Sequence, residues 1–154
     1  MSVFTTVTTE QLNVWLRQYA LGALISLEGI AAGIENTNYF VTTSRGRYVL
    51  TLFEVLKLEE LPYFLKLKSH LSRHGVACPA PIADHTDSFA SLLAGKPACL
   101  VSCLHGGDVS APNAAQCQAV GEMLAQMHQA GQTFPLRMDN PRDRKSTRLN
   151  SSHT

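Results

Sequence analysis

The sequence is poor in charged residues and has no long apolar run. Only 16% of its 154 residues are charged, and the formal net charge is +1, so no broad electrostatic field favours nucleic acid or an anionic membrane as a partner. No apolar run approaches the roughly 18 residues of a membrane-spanning helix. Residues 1–10 lack the cationic and apolar regions of a signal peptide. We therefore expect a cytoplasmic protein that binds neither nucleic acid nor membrane.

Cysteine is scarce as well. The four cysteines lie in apolar segments, and the closest pair, Cys99 and Cys103, is four positions apart, which is wider than the Cys-x-x-Cys spacing of zinc sites. We predict reduced thiols packed in a core, with a reactive or metal-bound cysteine as the weaker alternative. Hydrophobic residues are abundant at 45%, which excludes a disordered chain and suffices for one folded domain.

Apolar residues at helical spacing predict three helices. The first follows Thr8, which forms a possible capping box with Gln11, and ends by Gly22. The other two helices are predicted over residues 61–74 and 111–130. The apolar face of the last helix includes Val120 and Leu124.

Alternating apolar and polar residues predict five strands. Alternation places Ile25 and Leu27 on one face of the first strand. The predicted strands span residues 24–28, 39–43, 48–53, 88–93 and 97–104. The fold class is therefore α+β: a five-stranded antiparallel sheet with one helix inserted after the third strand, followed by a break and a further helix. This is the plan of a protein-kinase-like small lobe with the first helix of a large lobe.

The segment between the first two predicted strands is rich in small residues and asparagine. Small residues let backbone N–H groups approach a phosphate closely, and asparagine amides can bind a phosphate or pin the loop. The candidate nucleotide-binding residues here are Gly29, Ala31, Ala32, Gly33, Asn36 and Asn38. Taken alone, the same composition also fits a hairpin turn that binds no ligand.

Two longer motifs point to a family. The strings Gly29-Ile-Ala-Ala-Gly-Ile-Glu-Asn-Thr-Asn-Tyr-Phe-Val41 and Tyr48-Val-Leu-Thr-Leu-Phe-Glu54 resemble those of bacterial homoserine kinases, the type similar to aminoglycoside phosphotransferases and choline kinases. Shorter matches lie at residues 61–65, 95–98 and 121–128, so the resemblance covers about residues 1–142. It implies ATP and L-homoserine as small-molecule substrates, Mg²⁺ as a cofactor, and a role in threonine biosynthesis.

The resemblance also implies roles for residues on the third and fifth strands. Val49 and Thr51 share the face that covers adenine in related kinases, and Thr51 stands where those kinases carry a phosphate-binding lysine. Residues 63–74 contain no acid that would pair with such a lysine. Ser102 and Leu104 are placed at the hinge, where the backbone binds adenine.

The cation that replaces the missing lysine is left open. Lys66 or Lys68 could supply it, although a solvated helix face is the favoured interpretation of both. His128 and Asp108 are expected to be structural and loop residues, without a catalytic or metal-binding role.

The family's catalytic loop, His-x-Asp-x-x-x-x-Asn, does not occur in this sequence, so we predict no catalytic and no metal-binding residue in the chain. We expect three regions: a small lobe over residues 1–104, a hinge and truncated start of a large lobe over 105–142, and a disordered tail over 143–154. The tail does not match the family and resembles a translated adaptor sequence.

The chain is therefore expected to be an N-terminal fragment of a homoserine kinase that is inactive by itself. Two alternatives stay open: a fragment of a related phosphotransferase acting on choline or an aminoglycoside, and a non-catalytic α+β binding protein that uses its basic tail. The oligomeric state is not predicted.

Overall fold

A computed structural model describes residues 3–140, so the predicted tail and the last two residues of the predicted second region lie outside it. The helices are α1 (Thr9–Trp15), α2 (Leu61–Arg73) and α3 (Ala114–Gly131), with short 3₁₀ turns at Leu16–Gln18 and Leu58–Glu60. The strands are β1 (Leu24–Gly29), β2 (Thr37–Thr43), β3 (Gly46–Leu52), β4 (Ser91–Leu93) and β5 (Lys96–Ser102). None of the described helices has the length and apolar character needed to cross a lipid bilayer.

The strands form one antiparallel sheet in the order β1-β2-β3-β5-β4. The helix α2 lies in the connection between β3 and β4, so the predicted five-stranded sheet with one inserted helix is confirmed. Two tight hairpins join β2 to β3 and β4 to β5, the first with Thr43 opposite Gly46 and the second with Leu93 opposite Lys96.

Both faces of the sheet are covered at its centre. Side chains alternate between the faces along a strand, so Leu50 and Leu100 point to one face while Cys99 and Val101 point to the other. The first face packs against α1 and the turn after it through Leu12, Trp15, Leu16 and Tyr19. The second packs against α2 through Leu61 and Leu65.

Capping side chains determine where the helices begin. The predicted box is present at α1: Thr8 Oγ1 accepts from the N–H of Gln11, whose side chain accepts from the N–H of Thr8. Asn113 and Gln116 form the same arrangement at α3. Because Asn113 is extended, α3 begins at Ala114, three residues after the predicted start.

The prediction for β1 was wrong about Ile25. A bulge between Leu24 and Ser26 shifts the alternation, so that Leu24 and Leu27 pack against the core while Ile25 is 66% exposed. The strand β4 is also shorter than predicted. The Asp84 carboxylate accepts from the N–H groups of Thr86 and Ser88, which forms a turn just before the strand.

The cysteine prediction holds only in part. All four thiols are free, but only Cys99 is buried, and Cys117 is exposed on α3. On the same helix Val120 and Leu124 are also largely exposed. The apolar face of α3 therefore does not contribute to the core formed by residues 3–140.

Two buried tyrosines make a matched test of this core. The Tyr19 hydroxyl has no hydrogen-bond partner among the described residues, whereas the Tyr39 hydroxyl accepts from the N–H of Val7 and donates to the carbonyl of Thr5. We expect Tyr19→Phe to leave the free energy of unfolding unchanged or raise it by about 1 kcal/mol, because it removes an unpaired polar group. Tyr39→Phe should lower it by about 1–2 kcal/mol. Urea unfolding measures both, and equal losses would contradict the assignment of these hydroxyls.

Candidate functional site

A cross-strand hydrogen bond marks the candidate site on the second face of the sheet. Thr51 on β3 lies opposite Asn38 on β2 and Cys99 on β5, and its hydroxyl donates to Asn38 Oδ1 over 2.8 Å. Val49 lies two residues before Thr51 and therefore shares this face, opposite Val101. The predicted Asn38, Val49 and Thr51 are thus brought together.

The loop of residues 30–36 joins β1 to β2 beside this pair. Its first residue, Ile30, donates its N–H to the carbonyl of Asn38 over 2.9 Å, and Asn38 Nδ2 donates to the carbonyl of Asn36 over 3.4 Å. Gly33 has φ +125°, and a Cβ there would lie 3.3 Å from Asn38 Nδ2. The Asn38 side chain therefore bridges the loop and β3. Of the two roles predicted for the asparagines, Asn38 makes the contacts of the second, which is to hold the loop in place.

The small residues of the loop occupy different environments. Ala31 and Ala32 are exposed within the loop. Gly29 ends β1 opposite Tyr39, and a Cβ there would lie 3.1 Å from Val3 Cγ2. Because Tyr39 packs in the first-face core, the missing side chain of Gly29 faces away from Asn38 and Thr51.

The predicted hinge residues lie farther along the sheet. Ser102 is paired with Tyr48, three residues from the Thr51–Cys99 pair, or about 10 Å at the rise of a strand. Its N–H donates to the carbonyl of Ala80 and its hydroxyl accepts from the N–H of Ala80. Leu104 follows β5 and is exposed.

Among the described residues, the second face of the sheet carries no charge between Thr51 and Ser102. Burial raises the pKa of the Cys99 thiol to about 12 and outweighs the opposing effect of the positive charge of Lys68. Cys99 therefore stays protonated, between Thr51 on β3 and Leu61 and Leu65 of α2. The ammonium groups of Lys66 and Lys68 are on exposed side chains, so the described part of the site has no buried cation beside Thr51.

The sequence analysis missed a polar cluster on the opposite side of the loop. Glu54, just after β3, accepts from the hydroxyls of Thr5 (2.6 Å) and Thr37 (2.7 Å), and its other oxygen is 3.3 Å from Lys96 Nζ. The available signal was Thr37, a polar residue on the buried face of β2, in line with Tyr39 and Val41.

The charge of Glu54 is favoured by these partners. Partial burial acts against the ionised carboxylate, but hydrogen bonds from Thr5 and Thr37 and the ammonium of Lys96 outweigh it. The pKa of Glu54 therefore lies below its ordinary value of 4.5. The carboxylate is ionised at neutral pH and acts as an acceptor for all three neighbours.

Comparison with known proteins gives the family. The family model described as the phosphotransferase enzyme family matches residues 26–153. This chain belongs to the phosphotransferase enzyme family. Among curated proteins it is similar to homoserine kinase of Neisseria meningitidis serogroup B, at 57% identity over 142 residues, and to homoserine kinase of Methylobacillus flagellatus, at 54%. These alignments cover 92% of this chain but 47% and 44% of the relatives, so the chain spans about half their length.

A solved phosphotransferase shares the fold. Spectinomycin phosphotransferase, crystallised with ADP and spectinomycin, superposes with a TM-score of 0.64 at 14% identity, over 96% of this chain and 53% of that one. The similarity confirms the predicted kinase-like small-lobe fold. The curated relatives confirm the resemblance to homoserine kinases on which the site residues were chosen.

The lowered pKa of Glu54 predicts a loss of stability in acid. A carboxylate whose pKa is lower in the folded state stabilises the fold at pH values above its unfolded pKa, and this contribution is lost as the pH falls through the folded pKa. We expect Glu54→Gln to lower the free energy of unfolding by about 1 kcal/mol at pH 7, with the difference from wild type shrinking as the pH falls below 4.5, the ordinary pKa of a glutamate. Urea unfolding across this range measures it. The exposed Glu59→Gln is the control, and a pH-independent Glu54→Gln difference would contradict the prediction.

Proposed function

We propose that this phosphotransferase chain supplies the nucleotide-binding half of a cytoplasmic homoserine kinase, which transfers the γ-phosphate of ATP to the hydroxyl of L-homoserine. The observation that carries the proposal is the 57% identity with a homoserine kinase over 142 residues. The pinned loop beside the sheet face supports it, since its small residues let backbone N–H groups approach phosphates and an apolar sheet face can cover adenine.

In this proposal the phosphates lie under the loop of residues 30–36. The backbone N–H groups of Ala31, Ala32 and Gly33 approach the phosphate oxygens, and Asn36 can add a side-chain amide. Asn38 and Thr51 do not contact the phosphates in this proposal. Their mutual hydrogen bond fixes the loop against β3. Phosphoryl transfer depends mostly on positioning and charge neutralisation, and this half of the site contributes the positioning.

The adenine lies toward the end of β5. Val49 and Val101 supply apolar contacts on the second face of the sheet. The N–H and hydroxyl of Ser102 are already bonded to Ala80, so Ser102 offers adenine its carbonyl, while Leu104 offers its N–H. The spacing of about 10 Å between Ser102 and Thr51 suits a nucleotide that extends from base to phosphates.

The polar pair beside the loop, Asn38 and Thr51, does not fit a Mg²⁺ site. Mg²⁺ prefers carboxylate oxygens, and residues 3–140 contain no cluster of three or more His, Cys, Asp or Glu side chains. The oxygens of Asn38 and Thr51 are bonded to each other. We propose that the magnesium ligands and the catalytic aspartate lie outside this chain.

Nucleotide binding tests the loop assignment directly. We expect the purified chain to bind a fluorescent ATP analogue weakly, and Gly33→Val to weaken this binding about tenfold or more, because φ +125° is strained for any residue with a Cβ. Gly75→Val is the matched control: Gly75 also has positive φ, but no atom lies within 4 Å of the position that its Cβ would take, and it is far from the loop in sequence. Equal affinities of wild type and Gly33→Val would contradict the assignment.

The acceptor is tested by ADP release. We expect no turnover by this chain alone with L-homoserine, choline or spectinomycin, and turnover of L-homoserine by a longer polypeptide read from the genomic DNA beyond codon 142. Preferred turnover of choline or an aminoglycoside would favour the related phosphotransferases instead. A stop codon after Thr154 in the genomic DNA would contradict the fragment interpretation.

A further inference from the structure

The first residues of the described chain cross both ends of the loop. We call residues 3–8 the N-terminal arm. Val3 Cγ2 lies 3.1 Å from the point where a Cβ on Gly29, the last residue of β1, would stand. The N–H groups of Phe4 and Thr5 both donate to Thr37 Oγ1, over 2.9 and 3.1 Å, at the first residue of β2. The arm therefore contacts the two strand ends from which the loop of residues 30–36 extends.

Thr37 is the centre of these contacts. Its side chain is completely buried, and its hydroxyl accepts the two N–H groups of the arm while donating to Glu54 Oε1. A hydroxyl has one donor and two acceptor positions, so all of them are used. The Thr5 hydroxyl reaches the same Glu54 oxygen, and Lys96 Nζ lies beside the other.

We propose that the N-terminal arm, held through Thr37 to the carboxylate of Glu54, is a positioning element that fixes the loop of residues 30–36 for binding nucleotide phosphates. The role in nucleotide binding rests on the proposed function above. Thr37 and Glu54 touch no substrate in this proposal, and they act through the backbone of the loop.

The loop depends on such an anchor because two of its hydrogen bonds converge on one residue. The N–H of Ile30 donates to the Asn38 carbonyl, and Asn38 Nδ2 donates to the Asn36 carbonyl. Asn38 is the residue next to Thr37. Residues 31–35 of the loop are exposed. Ordering flexible backbone opposes binding, and a loop held in place beforehand binds more tightly. A shift of Thr37 would move Asn38 and release both bonds.

A carboxylate suits the anchor because the hydrogen bonds that it accepts are strengthened by its charge. Glu54 joins the arm, β2 and the β4–β5 turn through Thr5, Thr37 and Lys96. Removing the charge while keeping the shape should therefore loosen the loop without removing any apolar contact.

Hydrogen exchange at the Ile30 amide tests the anchor without any ligand. Thr37→Val removes the hydroxyl and keeps the shape, whereas Thr37→Ser keeps the hydroxyl. We expect Ile30 to exchange about tenfold faster or more in Thr37→Val and to stay within about threefold of wild type in Thr37→Ser. Glu54→Gln should raise the exchange rate of the Ile30 amide by an intermediate amount. If Thr37→Val does not fold, the result for Glu54→Gln tests the anchor in its place.

Ser44→Ala is the matched control. Ser44 Oγ accepts from the N–H of Ala23 and so joins the same two strands at their opposite ends. If Ser44→Ala raised the exchange rate of Ile30 as much as Thr37→Val does, the cause would be a general loss of sheet stability. This result would overturn the proposal. Unchanged exchange in both Thr37→Val and Glu54→Gln would overturn it as well.

Affinity for fluorescent ADP across pH separates positioning from simple stability. We expect wild type to bind about threefold to tenfold more tightly than Glu54→Gln at pH 7, and this ratio to fall toward one as the pH drops below 4.5, the ordinary pKa of a glutamate. Both proteins are compared at temperatures where both stay folded. No binding by wild type would overturn the proposed function, while the exchange result still decides the anchor. A constant ratio across pH would overturn the role of the Glu54 charge.

Discussion

The central strands β3 and β5 are covered on both faces, and the positions of α1, α2 and β2 follow from this constraint. Leu50 and Leu100 lie against α1 while Cys99 and Val101 lie against α2. Strands that are buried on both sides cannot shift by one residue without moving apolar side chains between two different cores. The register of β2, β3 and β5 is thereby fixed, and with it the pairing of Asn38 with Thr51.

The candidate site is built from that register. A loop whose composition suits phosphates extends from strand ends that are held on one side by Asn38 and Thr51 and on the other by Thr37 and Glu54. The two pairs face opposite sides of the sheet because Thr37 and Asn38 are consecutive residues. The loop is therefore held between two polar contacts, although residues 31–35 are exposed.

The electrostatics of this half-site are unusual for a phosphate-binding surface. The position that the family resemblance assigns to a lysine is Thr51, and the neighbouring thiol of Cys99 is neutral. The described ion pair lies instead on the outer side, between Glu54 and Lys96. Among the described residues no buried cation lies beside Thr51, so backbone N–H groups and asparagine amides are the polar groups that this half-site offers to a phosphate.

Much of the fold could be predicted from the sequence because its elements are defined by local patterns. The Thr8–Gln11 cap, the helix from Leu61 and the alternation in β3 each involve residues only a few positions apart. The bulge that turns Ile25 outward could not be predicted, because it depends on how β1 pairs with β2. The candidate residues of the loop were chosen from composition and family resemblance, and the structure shows which of them are neighbours.

By itself, the sequence determined the number and order of helices and strands and the small-residue loop, since these depend on local periodicity and residue size. Only the tertiary structure decided that Thr5, Thr37, Glu54 and Lys96 meet behind this loop. Thr5 and Glu54 are 49 positions apart, and no local pattern links them. Their contact exists because the sheet brings the start of β2, the end of β3 and the β4–β5 turn together beneath the N-terminal arm.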